Sequence, residues 1–116
     1  MKPVAAKTAI GLVLVASLAA AGLPSRAAED GAAELAEGKL LFTQKAVPAC
    51  SLCHTLADAG AEGAVGPVLD ELKPDAARVA KAVKNGLGQM PAYTTLSDLQ
   101  IQAVARYVAK ASRDAQ

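Results

Sequence analysis

Cys50-Ser51-Leu52-Cys53-His54 brings two thiols and an imidazole together in a chain that has only two cysteines and one histidine. Thiols three positions apart can lie on one side of a helical turn, where they reach two vinyl groups on one edge of a porphyrin. The imidazole that follows is then directed under the ring, toward its iron. C-x-x-C-H is the attachment signature of a c-type haem. One haem c, bound covalently through Cys50 and Cys53 with His54 on the iron, is therefore the expected cofactor.

Three other chemistries use the same residue types. A structural disulfide suits an oxidising compartment, but a C-x-x-C bridge closes a very short loop and stabilises little. A thiol-disulfide oxidoreductase also uses C-x-x-C, usually with βαβ patterning, which this chain lacks. Structural zinc wants four ligands, so a carboxylate would have to complete the set.

The sixth iron position is approached by elimination. His54 is the sole histidine, and once Met1 is removed Met90 is the sole methionine. It lies 36 residues beyond His54, in Asn85-Gly86-Leu87-Gly88-Gln89-Met90-Pro91. Methionine more often fills gaps in a core, but glycine and proline flank this one, away from any apolar stripe. Met90 is the expected axial ligand; five-coordinate iron, or a Lys or Asn ligand, are the alternatives.

Several elements must position these groups. Lys2 and Lys7 precede an apolar or small run at 9–21, and Ser25-Arg26-Ala27 follows, the three-part layout of a secretory signal. The run is 13 residues, short of the roughly 20 that span a bilayer. Residues 1–27 are expected to be a signal peptide cleaved after Ala27 or Ala28, an uncleaved anchor being the second reading. Loss of Lys2, Lys7 and Arg26 leaves 9 basic residues against 11 acids, a formal charge of −2. Nucleic acid is not an expected partner, nor is stable membrane insertion after cleavage.

Residues 28–116 read as one all-α domain with three main helices. The first, at 32–44, aligns Leu35, Gly38, Leu41 and Phe42 on one face. The second, at 75–85, follows Pro74 and carries Gly86 as a left-handed cap. The third has a capping box, Ser97 with Gln100, and a Leu96–Ile101 staple, then an apolar stripe of Ile101, Val104, Ala105 and Val108. No alternating run is long enough for a strand. One Phe, two Tyr and no Trp are thin material for a core, which suggests that a large apolar cofactor fills the interior.

The order of first helix, C-x-x-C-H, Gly66-Pro67-Val68-Leu69, then Met90-Pro91 before a final helix resembles the class I c-type cytochromes over nearly the whole of 28–116. The resemblance implies a bundle with long loops wrapped around one covalent haem. It also implies that the Pro67 carbonyl accepts the proximal histidine's ring N–H, that Leu69 packs on the haem, and that the outer helices cross near Gly38 and Tyr107. No Trp is available for the haem propionates, which leaves Tyr93 and Lys84 as candidates. More loosely, the chain is similar to monohaem cytochromes that accept electrons from periplasmic molybdenum sulfite dehydrogenases.

With His54 and Met90 both bound, no open iron position is left for substrate chemistry. An electron-transfer protein, not an enzyme, is expected: a periplasmic one-electron carrier between a dehydrogenase and a downstream acceptor. The alternatives are a permanent haem subunit of an oxidoreductase complex and the haem-free thiol-disulfide oxidoreductase. Lys39, Lys45, Lys81 and Lys84 are candidates for a steering ring around the haem edge, or ordinary solvated charges.

Overall fold

The first helix, α1 (Arg26–Leu40), runs directly into a π-helical turn, Leu41–Lys45. In this computed structural model the described residues are 1–5, 11 and 22–115. The expected export run at 9–21 lies outside them apart from Gly11. Among the described residues no helix is long and apolar enough to cross a membrane. The helix begins earlier than the pattern of apolar residues implies, because 26–33 carry good helix formers but little to bury. The expected cleavage position falls in its first turn.

The last helix, α4 (Asp98–Asp114), is capped as its sequence predicts. The Ser97 hydroxyl accepts from the Gln100 amide at 3.2 Å, and the Gln100 side chain accepts from the Ser97 amide at 2.9 Å. Ile101, Val104, Ala105, Tyr107 and Val108 are buried, and Leu96 packs against the same core. α1 crosses α4 at Gly38. A methyl group there would lie 2.5 Å from Tyr107 Cβ and would strike the Ala103 carbonyl, so the two backbones touch only because the residue is glycine.

Between them lie α2 (Leu69–Leu72) and α3 (Ala76–Asn85). Asp75 caps α3, its carboxylate accepting from the Arg78 amide at 2.7 Å. Gly86 ends the helix with φ 74° and ψ 165°, positive as expected but extended rather than left-handed helical. The chain must leave here toward Met90, whose carbonyl would lie 2.9 Å from a Cβ at Gly86.

Two features correct the expectation of three helices and no strand. α2 is a fourth, four-residue helix, ended by Lys73 at φ 46° and followed by Pro74. β1 (Thr55–Leu56) and β2 (Ala61–Glu62) form a two-residue antiparallel pair around a 3-10 turn, Ala57–Ala59, closed by Gly60 at φ 60°. Two residues cannot display an alternating pattern, and one turn cannot display a helical face. The core is mostly small aliphatics around Leu41, Phe42, Leu56 and Val104, with Phe42 edge-on to Tyr107 at 6.1 Å.

Candidate haem site

The attachment segment starts as one 3-10 turn, Cys50–Leu52. The Cys53 and His54 amides both donate to the Cys50 carbonyl, at 3.1 and 3.0 Å, so both cysteines and the histidine belong to one local turn. The loop that follows folds back beneath it: the Gly66 amide donates to the Cys53 carbonyl at 2.7 Å, and the Thr55 hydroxyl donates to the Gly63 carbonyl at 3.0 Å. Glycine is required at both approaches. A Cβ at Gly63 would lie 2.6 Å from the Cys53 carbonyl carbon and the His54 amide, and one at Gly66 would lie 2.5 Å from the imidazole Cε1.

His54 Nδ1 stands 2.9 Å from the Pro67 carbonyl oxygen. A carbonyl only accepts, so Nδ1 carries the proton and Nε2 keeps a free lone pair for a metal. Such a bond also fixes the ring's orientation and raises its basicity.

Another part of the site is built by the chain after α3. Leu87 and Met90 exchange both backbone hydrogen bonds, at 3.0 and 2.9 Å, a two-residue hairpin turn made possible by Gly88 at φ 58°. Tyr93 anchors this segment, its amide donating to the Val83 carbonyl at 2.9 Å and its hydroxyl to the Pro48 carbonyl at 2.8 Å. The second bond joins the Met90 loop to the chain that enters Cys50.

Cys50, Cys53, His54, Pro67, Leu69 and Met90 all line one cavity of about 680 Å³, within the range of about 300–1,000 Å³ usual for cofactor sites. Phe42, Val83, Val104 and Val108 complete an apolar wall. Two free thiols, a lone imidazole nitrogen and a thioether around one apolar space fit a covalently attached haem. Among the described residues no group of three or more His, Cys, Asp or Glu could hold a metal ion, so the four-ligand zinc alternative finds no set.

Burial pushes the Cys50 thiol up to about 11 and the Tyr93 hydroxyl up to about 12. A reactive thiol needs the opposite shift, because the thiolate is the nucleophile. Of the four lysines considered for steering, only Lys81 lines the cavity. Lys39 pairs with Asp58 at 3.1 Å, Lys45 with Glu37 at 2.7 Å and Lys84 with Asp98 at 3.1 Å.

Behind the attachment segment, Asp58 joins three elements. Its carboxylate accepts from the Tyr107 hydroxyl on α4 at 2.6 Å and from the Lys39 ammonium on α1. These two donors hold the Asp58 carboxyl below the usual carboxylate range. Burial, with Asp58 beside it, raises the Tyr107 hydroxyl. On α2, Asp70 accepts from the Ala57 amide at 2.9 Å, so the loop is held from both sides.

Sequence reasoning missed Gly63 and the cavity-lining Arg78 as parts of the site, and took Gly66 only as the opening residue of the Gly66–Leu69 motif, without its contact to the imidazole. The glycines' spacing marks a loop; only the fold reveals what each one touches.

A family model described as "Cytochrome C oxidase, cbb3-type, subunit III" matches residues 33–108. Among solved structures, the chain is similar to the c-type cytochrome SorU from Sinorhizobium meliloti. The identity is 56%, over 70% of this chain and 93% of that one, with a TM-score of 0.69. Among curated proteins none matches.

Proposed function

Because this chain belongs to the class I c-type cytochromes, which carry covalent haem c and transfer electrons, we propose that it accepts single electrons from a periplasmic dehydrogenase and passes them to a downstream acceptor. The haem supplies reversible one-electron exchange at its iron. Cys50 and Cys53 would hold the haem as thioethers, and His54 Nε2 would bind its iron. The Pro67 carbonyl keeps the His54 proton on Nδ1. Met90, which lines the same cavity, would offer its sulfur as a further ligand. Leu69, Val104 and Phe42 exclude water. With His54 and Met90 both engaged, the chain would exchange electrons and leave no iron position open to a substrate.

One observation carries this reading: both thiols, the oriented imidazole and the single cavity-lining methionine surround the same apolar space. Resemblance to the cytochromes reduced by molybdenum sulfite dehydrogenases supports an enzyme of that class as the donor. The N-terminal export layout supports a periplasmic location with residues 1–27 removed.

The test uses protein exported from a host that matures c-type cytochromes. Its mass should equal the cleaved polypeptide plus one haem, and a sulfite dehydrogenase of the molybdenum class should reduce it rapidly. Met90→Ala should abolish the sulfur-to-iron charge-transfer band and lower the potential. Colourless protein would end the reading; red protein that such a dehydrogenase leaves oxidised would end only the choice of donor. The matching family's description as an oxidase subunit supports a second reading, a permanent haem subunit. Stable co-purification with a catalytic chain would favour it.

A further inference from the structure

The charged groups of the cavity wall are all of one sign. Its titratable and charged lining residues are Cys50, Cys53 and His54 from the attachment segment, Tyr93 from the loop before α4, and Arg78 and Lys81 from α3. No carboxylate is among them. Arg78 and Lys81 are three positions apart on one helix, where like charges repel. Neither forms an ion pair among the described residues, whereas Lys39, Lys45, Lys84, Arg106 and Lys110 all do.

Two unpaired cations at the edge of an apolar cavity call for an anion, and the haem brings two carboxylates. We propose that Arg78 and Lys81 bind the haem propionates. This rests on the haem reading above and replaces the sequence candidates. Tyr93 spends its hydroxyl on the Pro48 carbonyl, and Lys84 faces Asp98 outside the cavity. The Arg78 guanidinium matches a carboxylate with two parallel donors, and Lys81 adds a point charge. Helix α3 carries both to the cavity wall, its first turn fixed by the Asp75 cap at the Arg78 amide.

Such cations act on the iron through space. They disfavour the extra positive charge of oxidised iron, and they keep the propionates ionised at neutral pH. Among the remaining neighbours Tyr93 stays neutral and the cysteines become thioethers, while the one nearby carboxylate, Asp75, is turned to the Arg78 amide at the helix cap and is common to the parent and every variant.

The experiment is spectroelectrochemical titration of the haem-loaded full chain across acid and neutral pH. It compares the parent with Arg78→Gln, Lys81→Gln, the double variant and Arg78→Lys. Each neutral variant should lower the midpoint potential, and the double variant should lower it most. The fall of potential that accompanies propionate ionisation should move to higher pH. Arg78→Lys should restore most of the parent's behaviour, and the Met90 charge-transfer band should persist throughout. A double variant with attached haem and an unchanged potential and pH profile would overturn the proposal. So would an unchanged potential combined with a weaker salt dependence of reduction by the partner, which would assign these cations to docking. If the double variant does not load haem, the two single variants decide the matter in the same way. A parent protein of bare-polypeptide mass would instead refute the haem reading itself.

Discussion

A single hydrogen atom at Gly66 separates its backbone from the His54 ring. Gly66→Ala would place a methyl 2.5 Å from Cε1 and 2.8 Å from Nδ1, so the imidazole must leave the Pro67 carbonyl or the loop must shift. The variant should load less haem and lose about 1–3 kcal/mol of stability, read from the pigment-to-protein absorbance ratio and a thermal melt. Gly60→Ala is the control, since nothing lies within 4 Å of its Cβ position and only its positive φ is strained. At this scale the covalent haem was legible in the C-x-x-C-H run, and one histidine and one internal methionine leave few candidates for its iron. What a glycine must avoid was not legible, because the clash partner of Gly66 lies twelve positions away and meets it only in the folded loop. Arg78 was hidden for a related reason, since a helical cation reads as solvated until the wall beside it is known.

Helices were readable where their signals are local. Ser97 and Gln100 announce the start of α4 within four residues, and their reciprocal bonds are present. The π-helical turn after α1 and the two-residue strands carry no such signal, because packing beneath the attachment loop imposes them. The Met90 hairpin is intermediate: its glycines are visible in sequence, its paired hydrogen bonds are not. Gly88→Ala meets no atom within 4 Å but forces alanine to φ 58°, a cost of about 1 kcal/mol or more. It should weaken the sulfur-to-iron band and hasten capture of an added ligand such as imidazole, measured by absorbance titration. Gly38→Ala strikes the α1–α4 crossing instead and should destabilise by about 1–3 kcal/mol. At about 4–8 °C per kcal/mol for a domain of this size, its melting temperature should fall clearly, with the axial spectrum retained.

Across the whole molecule, Asp58 ties the loop behind the haem site to both outer helices. Its folded pKa lies below the ordinary value, so its contribution is present above about pH 4 and is lost as pH falls through the folded value. Asp58→Asn should therefore be less stable than the parent at neutral pH. The difference should shrink progressively in acid, as followed by urea melts at a series of pH values. The side chain is 49% exposed, so solvent screens the effect and keeps it modest. A gap between parent and variant that stayed constant through acid would assign the role of Asp58 to shape rather than charge. The mainly helical frame and the covalent haem were legible from periodicity and one motif; this brace was not, because Lys39, Asp58 and Tyr107 share no pattern along the chain.

The most extensive helix contact joins α1 to α4, the first helix to the last. A chain emerging amino end first therefore cannot close its fold until the final 17-residue helix has followed. For that interval Cys50 and Cys53 sit on an unsealed segment, open to the enzymes that would alkylate them with a pigment and to oxidants that would waste them. Val104 and Val108 of the cavity wall arrive only with that helix, so the pigment's pocket is the last part of the domain to be completed.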